Sequence, residues 1–81
     1  MSEIEQRIRA VMSVVFEIEA VHIPHNASPL VIVQWDSLKH MNLILALEEE
    51  FNFRFSDDEM TDLLNLKLII SIVLGKLDVN S

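Results

Sequence analysis

The sequence predicts an all-α fold of four helices, three longer and one short, with a long loop between the first two. Apolar residues recur at helical spacing in separate segments, and residues that cap helices precede these segments. One Gly and two Pro in 81 residues leave few interruptions, and a hydrophobic fraction of 51% can supply a packed core. At this length we expect residues 1–81 to form a single domain.

The first helix is predicted from about residue 3 to about residue 16. Ser2 followed by Glu5 is a capping-box pattern. The apolar residues that follow at helical spacing are Ile4, Ile8, Val11, Met12 and Val15. The polar side chains Glu5, Arg7 and Arg9 are interpreted as a solvated face.

The segment from Glu17 to Asp36 is predicted to be a loop that is itself packed, because it is long and carries several apolar residues. The run from Leu30 to Val33 is β-branched, but the chain offers no partner strand, so it is assigned to the loop. His22 and His25 have a spacing that could present two metal ligands. With no Cys and no carboxylate set at ligand spacing, we expect no metal site.

Asp36 is predicted to cap a second helix that begins at Ser37 and ends near Phe51. The free backbone N–H groups and the dipole at such a position favour a negative group on Ser37, such as a phosphodiester. His40 is three residues away and could share a face with Ser37, but no third group completes a triad. We therefore expect no catalytic residue and no enzyme.

The helix has more apolar residues than one buried stripe needs, so some must be left on its surface. The candidates nearest Ser37 are Leu38 and Met41. Glu48, Glu49 and Glu50 end the same helix, where the helix dipole disfavours acids. Such a run is often only a solvated face, and partner recognition is the alternative.

Ser56, Asp57, Asp58 and Glu59 form a second capping-box pattern, which opens a short helix through Leu64. Asn65 is predicted to cap the last helix, over 66–77. Its expected core stripe is Leu66, Ile69, Ile70, Val73, Leu74 and Leu77. This apolar run is interrupted by polar residues and is too short to cross a bilayer. The N-terminus lacks a secretion signal, so the predicted location is the cytoplasm.

The formal net charge is −7 at pH 7. An acidic surface repels nucleic-acid phosphates and anionic membranes and attracts basic patches on other proteins. We expect protein partners, no nucleic acid, no membrane insertion and a monomeric chain.

Three segments match the pattern of one protein family, in the same order and with no gap in the alignment. They are Asn26-Ala27-Ser28, Asp36-Ser37-Leu38 and Leu45 to Phe51. Together with Asp57-Asp58-Glu59 and the apolar last helix, they resemble the acyl carrier protein family over almost the whole chain. The resemblance implies a four-helix carrier-protein bundle. It also implies 4′-phosphopantetheine attached to Ser37, within the motif formed with Asp36 and Leu38, and donated by coenzyme A through a phosphopantetheinyl transferase.

The same resemblance implies that the thiol of this group holds an acyl chain as a thioester. Acyl-loading and acyl-processing enzymes with basic patches, in fatty acid, polyketide or related specialised biosynthesis, would then read the carrier. Two alternatives stay open. One is a peptidyl or aminoacyl carrier of nonribosomal synthesis, although Gln34 and Trp35 replace the residues usual there. The other is an acidic interaction module that is never modified.

The chain departs from the family pattern around Ser37. Lys39, His40 and Asn42 stand where general fatty acid carriers have acidic residues, and Trp35 stands where a small residue is usual. Trp35 is either an exposed binding anchor or a side chain packed on Val31 and Val33. These changes suggest a specialised carrier with a dedicated partner. The residues predicted to recognise it are Trp35, Lys39, Met41, Glu48, Glu49 and Asp57.

Overall fold

The computed structural model describes residues 3–79, and its helices match the predicted order. The α-helices are α1 (Glu3–Phe16), α2 (Ser37–Phe51), α3 (Asp57–Thr61) and α4 (Leu66–Val79), with a 3₁₀ helix at Ala20–His22. Residues 3–79 contain no strand, so the all-α prediction and the loop assignment of Leu30 to Val33 are confirmed. The predicted cap at Ser2 lies outside the described residues. α3 ends before Leu64, whereas α4 extends two residues beyond the prediction.

The core lies between α1, α2 and α4, which each contribute one apolar stripe. Its helical members are Ile8, Met12, Phe16, Leu43, Ile44, Leu47, Phe51, Leu66, Ile69 and Val73. In α4 the predicted stripe holds at its centre, but Leu74 is 42% exposed. Leu74 lies at the edge of the face that the spacing of Leu66, Ile69 and Val73 directs inward.

The interpretation of a solvated polar face on α1 is wrong for Arg9, whereas the Arg7 side chain is 39% exposed. The Arg9 side chain is buried, and its guanidinium donates to the Ile23 carbonyl, to Glu5 Oε2 at 3.2 Å and to His25 Nδ1 at 3.2 Å. The loop folds over this side of α1. Arg9, which the sequence pattern places on a polar face, therefore bonds the loop to the helix.

Arg7, on the same helix, fastens α1 to the end of α2. Its guanidinium bonds to the Glu50 carboxylate and to the Glu50 carbonyl, both at 2.9 Å, and lies 4.4 Å from the centre of the Phe51 ring. An ion pair and a cation–π contact therefore both link α1 to the end of α2 at Arg7.

The loop between α1 and α2 is packed, as predicted, through four buried side chains: Ile23, Ala27, Ile32 and Trp35. The Ala27 carbonyl accepts the Leu66 N–H at 3.0 Å, which ties the loop to the start of α4. Between these points Leu30 and Val33 are 98% and 92% exposed. The loop thus has fixed ends and an apolar outer surface.

The caps predicted at Asp36, Ser56 and Asn65 are present. The Asp36 and Asn65 side chains accept N–H groups of Lys39 and Leu68, at 2.8 and 2.9 Å. Ser56 and Glu59 form the complete reciprocal capping box. These bonds satisfy N–H groups that a helix start leaves without an intrahelical partner.

Candidate functional site

Ser37 is the first residue of α2 and is exposed to solvent. Asp36 before it is extended, with φ −100° and ψ −175°, and its carboxylate caps the helix. The Asp36 carbonyl accepts the His40 N–H at 2.8 Å, which closes the first turn around Ser37. The Ser37 hydroxyl is therefore presented at an ordered helix start, where the dipole favours negative charge.

Several apolar side chains close to this serine in the chain are exposed. Leu38 and Met41, on α2, are 69% and 50% exposed, as the sequence led us to expect for part of the helix. The outer loop residues Leu30 and Val33 lie just before it in the chain. We call Leu30, Val33, Leu38 and Met41 the apolar rim. Several exposed apolar residues together indicate an interaction site more often than a single exposed residue does.

An open depression of about 590 Å³ adjoins Ser37. Its lining residues are Pro29, Trp35, Asp36, Ser37, His40, Met41, Leu63 and Leu64. Most of them are apolar, and the volume lies in the range of small-molecule pockets. The contributions of Pro29, Leu63 and Leu64 were not predicted, because they lie far from Ser37 in the chain.

Trp35 is only 3% exposed, so the condition for an exposed binding anchor is not met. Val31 and Val33, the packing partners that the sequence suggested, are themselves 46% and 92% exposed. Instead its ring centre lies 5.1 Å from that of Phe16, and its Nε1–H donates to His40 Nδ1 at 2.9 Å. The indole is packed inward because Phe16 gives it an aromatic neighbour and His40 gives its N–H a partner.

The His40 ring lies beside the Trp35 ring, with ring centres 6.1 Å apart and 23° between the ring planes. Burial lowers the pKa of His40 below its usual value, because a partly buried imidazole is desolvated. An indole N–H can only donate, so Nδ1 accepts and the neutral ring carries its proton on Nε2. His40 is thus a structural partner of Trp35 in this fold.

The remaining predicted recognition residues are spread over three regions. Lys39 forms a long ion pair with Glu17 at 3.9 Å, and Glu17 is largely exposed. Asp57 is exposed at the start of α3. Glu48 is partly buried, and its carboxylate accepts the Phe55 N–H at 2.9 Å. Glu49 is exposed and forms no hydrogen bond or ion pair within residues 3–79.

The described residues contain no cluster of metal-binding side chains at ligand distance, His22 and His25 included. His25 instead contacts Arg9, and His22 is exposed on the 3₁₀ helix. No helix within residues 3–79 combines the length and hydrophobicity that crossing a membrane requires.

Comparison with known proteins decides the family. No family model matches the chain. An acyl carrier protein of Buchnera aphidicola subsp. Schizaphis graminum (strain Sg) is 33% identical over 76 residues, which cover 94% of this chain and 96% of that protein. The chain belongs to the acyl carrier protein family. The resemblance predicted from the Asp36-Ser37-Leu38 segment and the acidic end of α2 is therefore confirmed, and the helical architecture agrees with it.

Proposed function

We propose that this acyl carrier protein carries an acyl group as a thioester on 4′-phosphopantetheine, attached through a phosphodiester to Ser37. The group is donated by coenzyme A through a phosphopantetheinyl transferase, and the carrier itself catalyses nothing. The observation that carries the proposal is the exposed Ser37 at the start of α2, within Asp36-Ser37-Leu38, in a chain of this family.

The residues around Ser37 suit such a group. The start of α2 favours a phosphodiester electrostatically, and Asp36 binds the N–H of Lys39, leaving the earlier N–H groups of the turn to face outward. The adjoining depression offers an apolar surface beside the attachment point. When bound, the group supplies a thiol, and this chain supplies an ordered place to display it.

The test of this proposal is intact mass after incubation with coenzyme A and a broad-specificity phosphopantetheinyl transferase. Wild type is expected to gain one phosphopantetheinyl group, and Ser37→Ala none. Ser71→Ala is the matched control, because Ser71 is an exposed serine on α4 outside the motif, and it should be modified like wild type. An adduct that persists in Ser37→Ala would refute the assignment, and an unmodified wild type would favour the plain interaction module.

We further propose that the carrier is specialised and serves a dedicated partner. Lys39, His40 and Asn42 give the first turns of α2 little negative charge, while the apolar rim is broad. The partner surface facing Ser37 is then mainly apolar, and the acids Glu49 and Asp57 meet basic groups at the edge of the contact. Trp35 acts on this surface only indirectly, because it is buried.

The partner proposal is tested by loading the carrier and assaying it with the elongating enzymes of general fatty acid synthesis. Poor turnover is expected for wild type, with a gain when Lys39→Glu and Asn42→Glu are combined. Arg54→Glu, at an exposed position outside α2, controls for a general effect of added negative charge. Efficient turnover of wild type, or no gain in the double variant, would contradict a specialised role. Loading with aminoacyl instead of acyl thioesters tests the nonribosomal alternative.

A further inference from the structure

Trp35 and His40 occupy two defined positions on either side of the helix start. With Asp36 as the capping residue of α2, Trp35 is the residue before the cap and His40 is the fourth residue of the helix. In many helices these two positions hold apolar residues whose contact, the hydrophobic staple, fixes the angle at which the chain enters the helix. Here the contact is a hydrogen bond between the edges of two rings whose planes differ by 23°.

We infer that Trp35 and His40 are positioning residues for Ser37, and that their bonded staple sets the orientation in which the transferase and later partners meet it. The inference rests on the proposed function, since it assigns a role in modifying that serine. Ser37 lies between the two members of the staple, one residue beyond the cap.

The bonded staple is more directional than an apolar one. An apolar contact tolerates rotation of either side chain, whereas the bond from Trp35 Nε1–H to His40 Nδ1 requires both rings to keep their orientation. The indole is also held from behind by Phe16, the last residue of α1. Contacts with α1 as well as with the loop therefore fix the angle at which the chain enters α2.

The staple contains a titratable acceptor, so it depends on pH. Protonating His40 would place an N–H on Nδ1 opposite the indole N–H, and the bond would be lost. The charged group that lines the depression beside His40 is Asp36, whose carboxylate already accepts the Lys39 N–H. Lys39, next to His40 on α2, pairs with Glu17. The lining residues from outside this segment are Pro29, Leu63 and Leu64, which do not titrate.

Two variants separate the hydrogen bond from the packing. Trp35→Phe keeps an aromatic ring against Phe16 but lacks the N–H, and His40→Gln keeps an acceptor but does not titrate in this range. His22→Gln is the matched control, because His22 is exposed on the 3₁₀ helix. The readout is the steady-state rate of phosphopantetheine transfer to Ser37, measured between pH 5.5 and 8 and expressed relative to the control.

We expect Trp35→Phe to lower kcat about three- to tenfold at neutral pH, the range that losing one hydrogen bond allows. KM should change little, because the exposed apolar rim is unaltered. Wild type should lose rate relative to His40→Gln only as the pH falls below 6.5, because burial lowers the pKa of His40, and His22→Gln should follow wild type. A Trp35→Phe rate equal to that of wild type, or equal pH profiles for wild type and His40→Gln, would overturn the inference.

A second measurement does not require Ser37 to be modified. Nitrogen NMR of the unmodified protein should show His40 protonated on Nε2 at neutral pH, with a Trp35 indole N–H protected from exchange. A proton on Nδ1 would overturn the staple itself. If wild type accepts no group from coenzyme A, the proposed function fails and the inference fails with it. Normal modification of a Trp35→Phe variant refutes the inference alone.

Discussion

Three successive glutamates end α2, and each has a different environment. Glu48 accepts the Phe55 N–H, Glu50 binds Arg7, and Glu49 faces solvent. In the sequence they form one acidic run at the end of a helix, where the helix dipole disfavours negative charge. Glu48 bonds the end of α2 to the segment before α3, Glu50 forms a solvent-accessible pair with α1, and Glu49 has no bond within residues 3–79.

We predict that Glu48→Ala lowers the free energy of unfolding by about 1 to 2 kcal/mol, because the partly buried Phe55 N–H loses its acceptor. Glu49→Ala should change it by less than about 0.5 kcal/mol, as is usual for an exposed residue without contacts. Urea unfolding followed by circular dichroism measures both. Equal effects of the two substitutions would mean that the Glu48 bond does not contribute to stability.

At the scale of elements, the Arg9 side chain joins α1 to the loop between α1 and α2. Arg9 reaches from α1 to the Ile23 carbonyl and to His25, at the point where the 3₁₀ helix gives way to the rest of the loop. Glu5 on α1 binds the same guanidinium, so the buried charge is compensated. The contacts of Arg9 therefore hold the loop, including the loop residues of the apolar rim, in a fixed position relative to α1.

We predict that Arg9→Met destabilises the protein by about 2 to 3 kcal/mol, since it keeps the aliphatic packing but removes charge-assisted hydrogen bonds. Hydrogen exchange of amides near Ile23 should accelerate, because the loop is released. Arg54→Met is the control, at an exposed arginine, and is expected to be nearly neutral. If Arg54→Met proves as costly as Arg9→Met, net charge and not loop fastening explains the loss.

At the scale of the whole molecule, negative charge is in excess. The net charge of −7 is what remains after all six Lys and Arg have been counted against thirteen Asp and Glu, so the ion pairs do not reduce it. The Arg7–Glu50 and Lys39–Glu17 pairs are solvent-accessible, and such pairs contribute little to stability. Repulsion among the remaining acids therefore works against the compact state.

We predict that Tm rises when salt is added at neutral pH, because ions screen this repulsion over about 8 to 10 Å at physiological ionic strength. Mg²⁺ and Na⁺ should act alike at equal ionic strength, since residues 3–79 present no cluster of metal ligands. Differential scanning calorimetry with the two chloride salts makes the comparison. A Tm independent of salt would refute the repulsion, and a distinct effect of Mg²⁺ would indicate bound cation.

We predict that stability decreases as the pH falls below about 6.5. His40 has a lowered pKa in the fold, so the unfolded chain binds its proton first and gains stability relative to the folded state. The loss is complete once the pH has passed below the folded-state pKa. His40→Gln should remove this part of the pH dependence, and His22→Gln should leave it in place, in urea unfolding series at several pH values.

A second loss is expected in more acidic solution. The backbone N–H of Ser56, with a further contribution from Lys76, lowers the pKa of Glu59 from its usual 4.5. The stabilisation from this carboxylate is present above its unfolded-state pKa and is lost as the pH falls through the folded-state pKa. Glu59→Gln should flatten the acid limb of the same unfolding series, and an unchanged limb would contradict this role.

Whether a contact could be predicted from the sequence depends on how far apart its two residues lie in the chain. The caps at Asp36 and Asn65 join residues three apart, so local sequence reveals them, as periodicity reveals the helices. The packing of Trp35 depends on Phe16 in α1, and the burial of Arg9 depends on Ile23 in the loop. In both cases the partner lies in another element. Such contacts exist only once the helices have packed, so one sequence without an aligned relative does not disclose them.

The position of Trp35 has an optical consequence. The chain has one tryptophan and no tyrosine, so nearly all of its intrinsic fluorescence comes from this indole. The emitter is packed on Phe16, bonded to His40 and only two residues before Ser37. Events at Ser37, from attachment of a group to contact with a partner, should therefore change the brightness or colour of the emission without any added label.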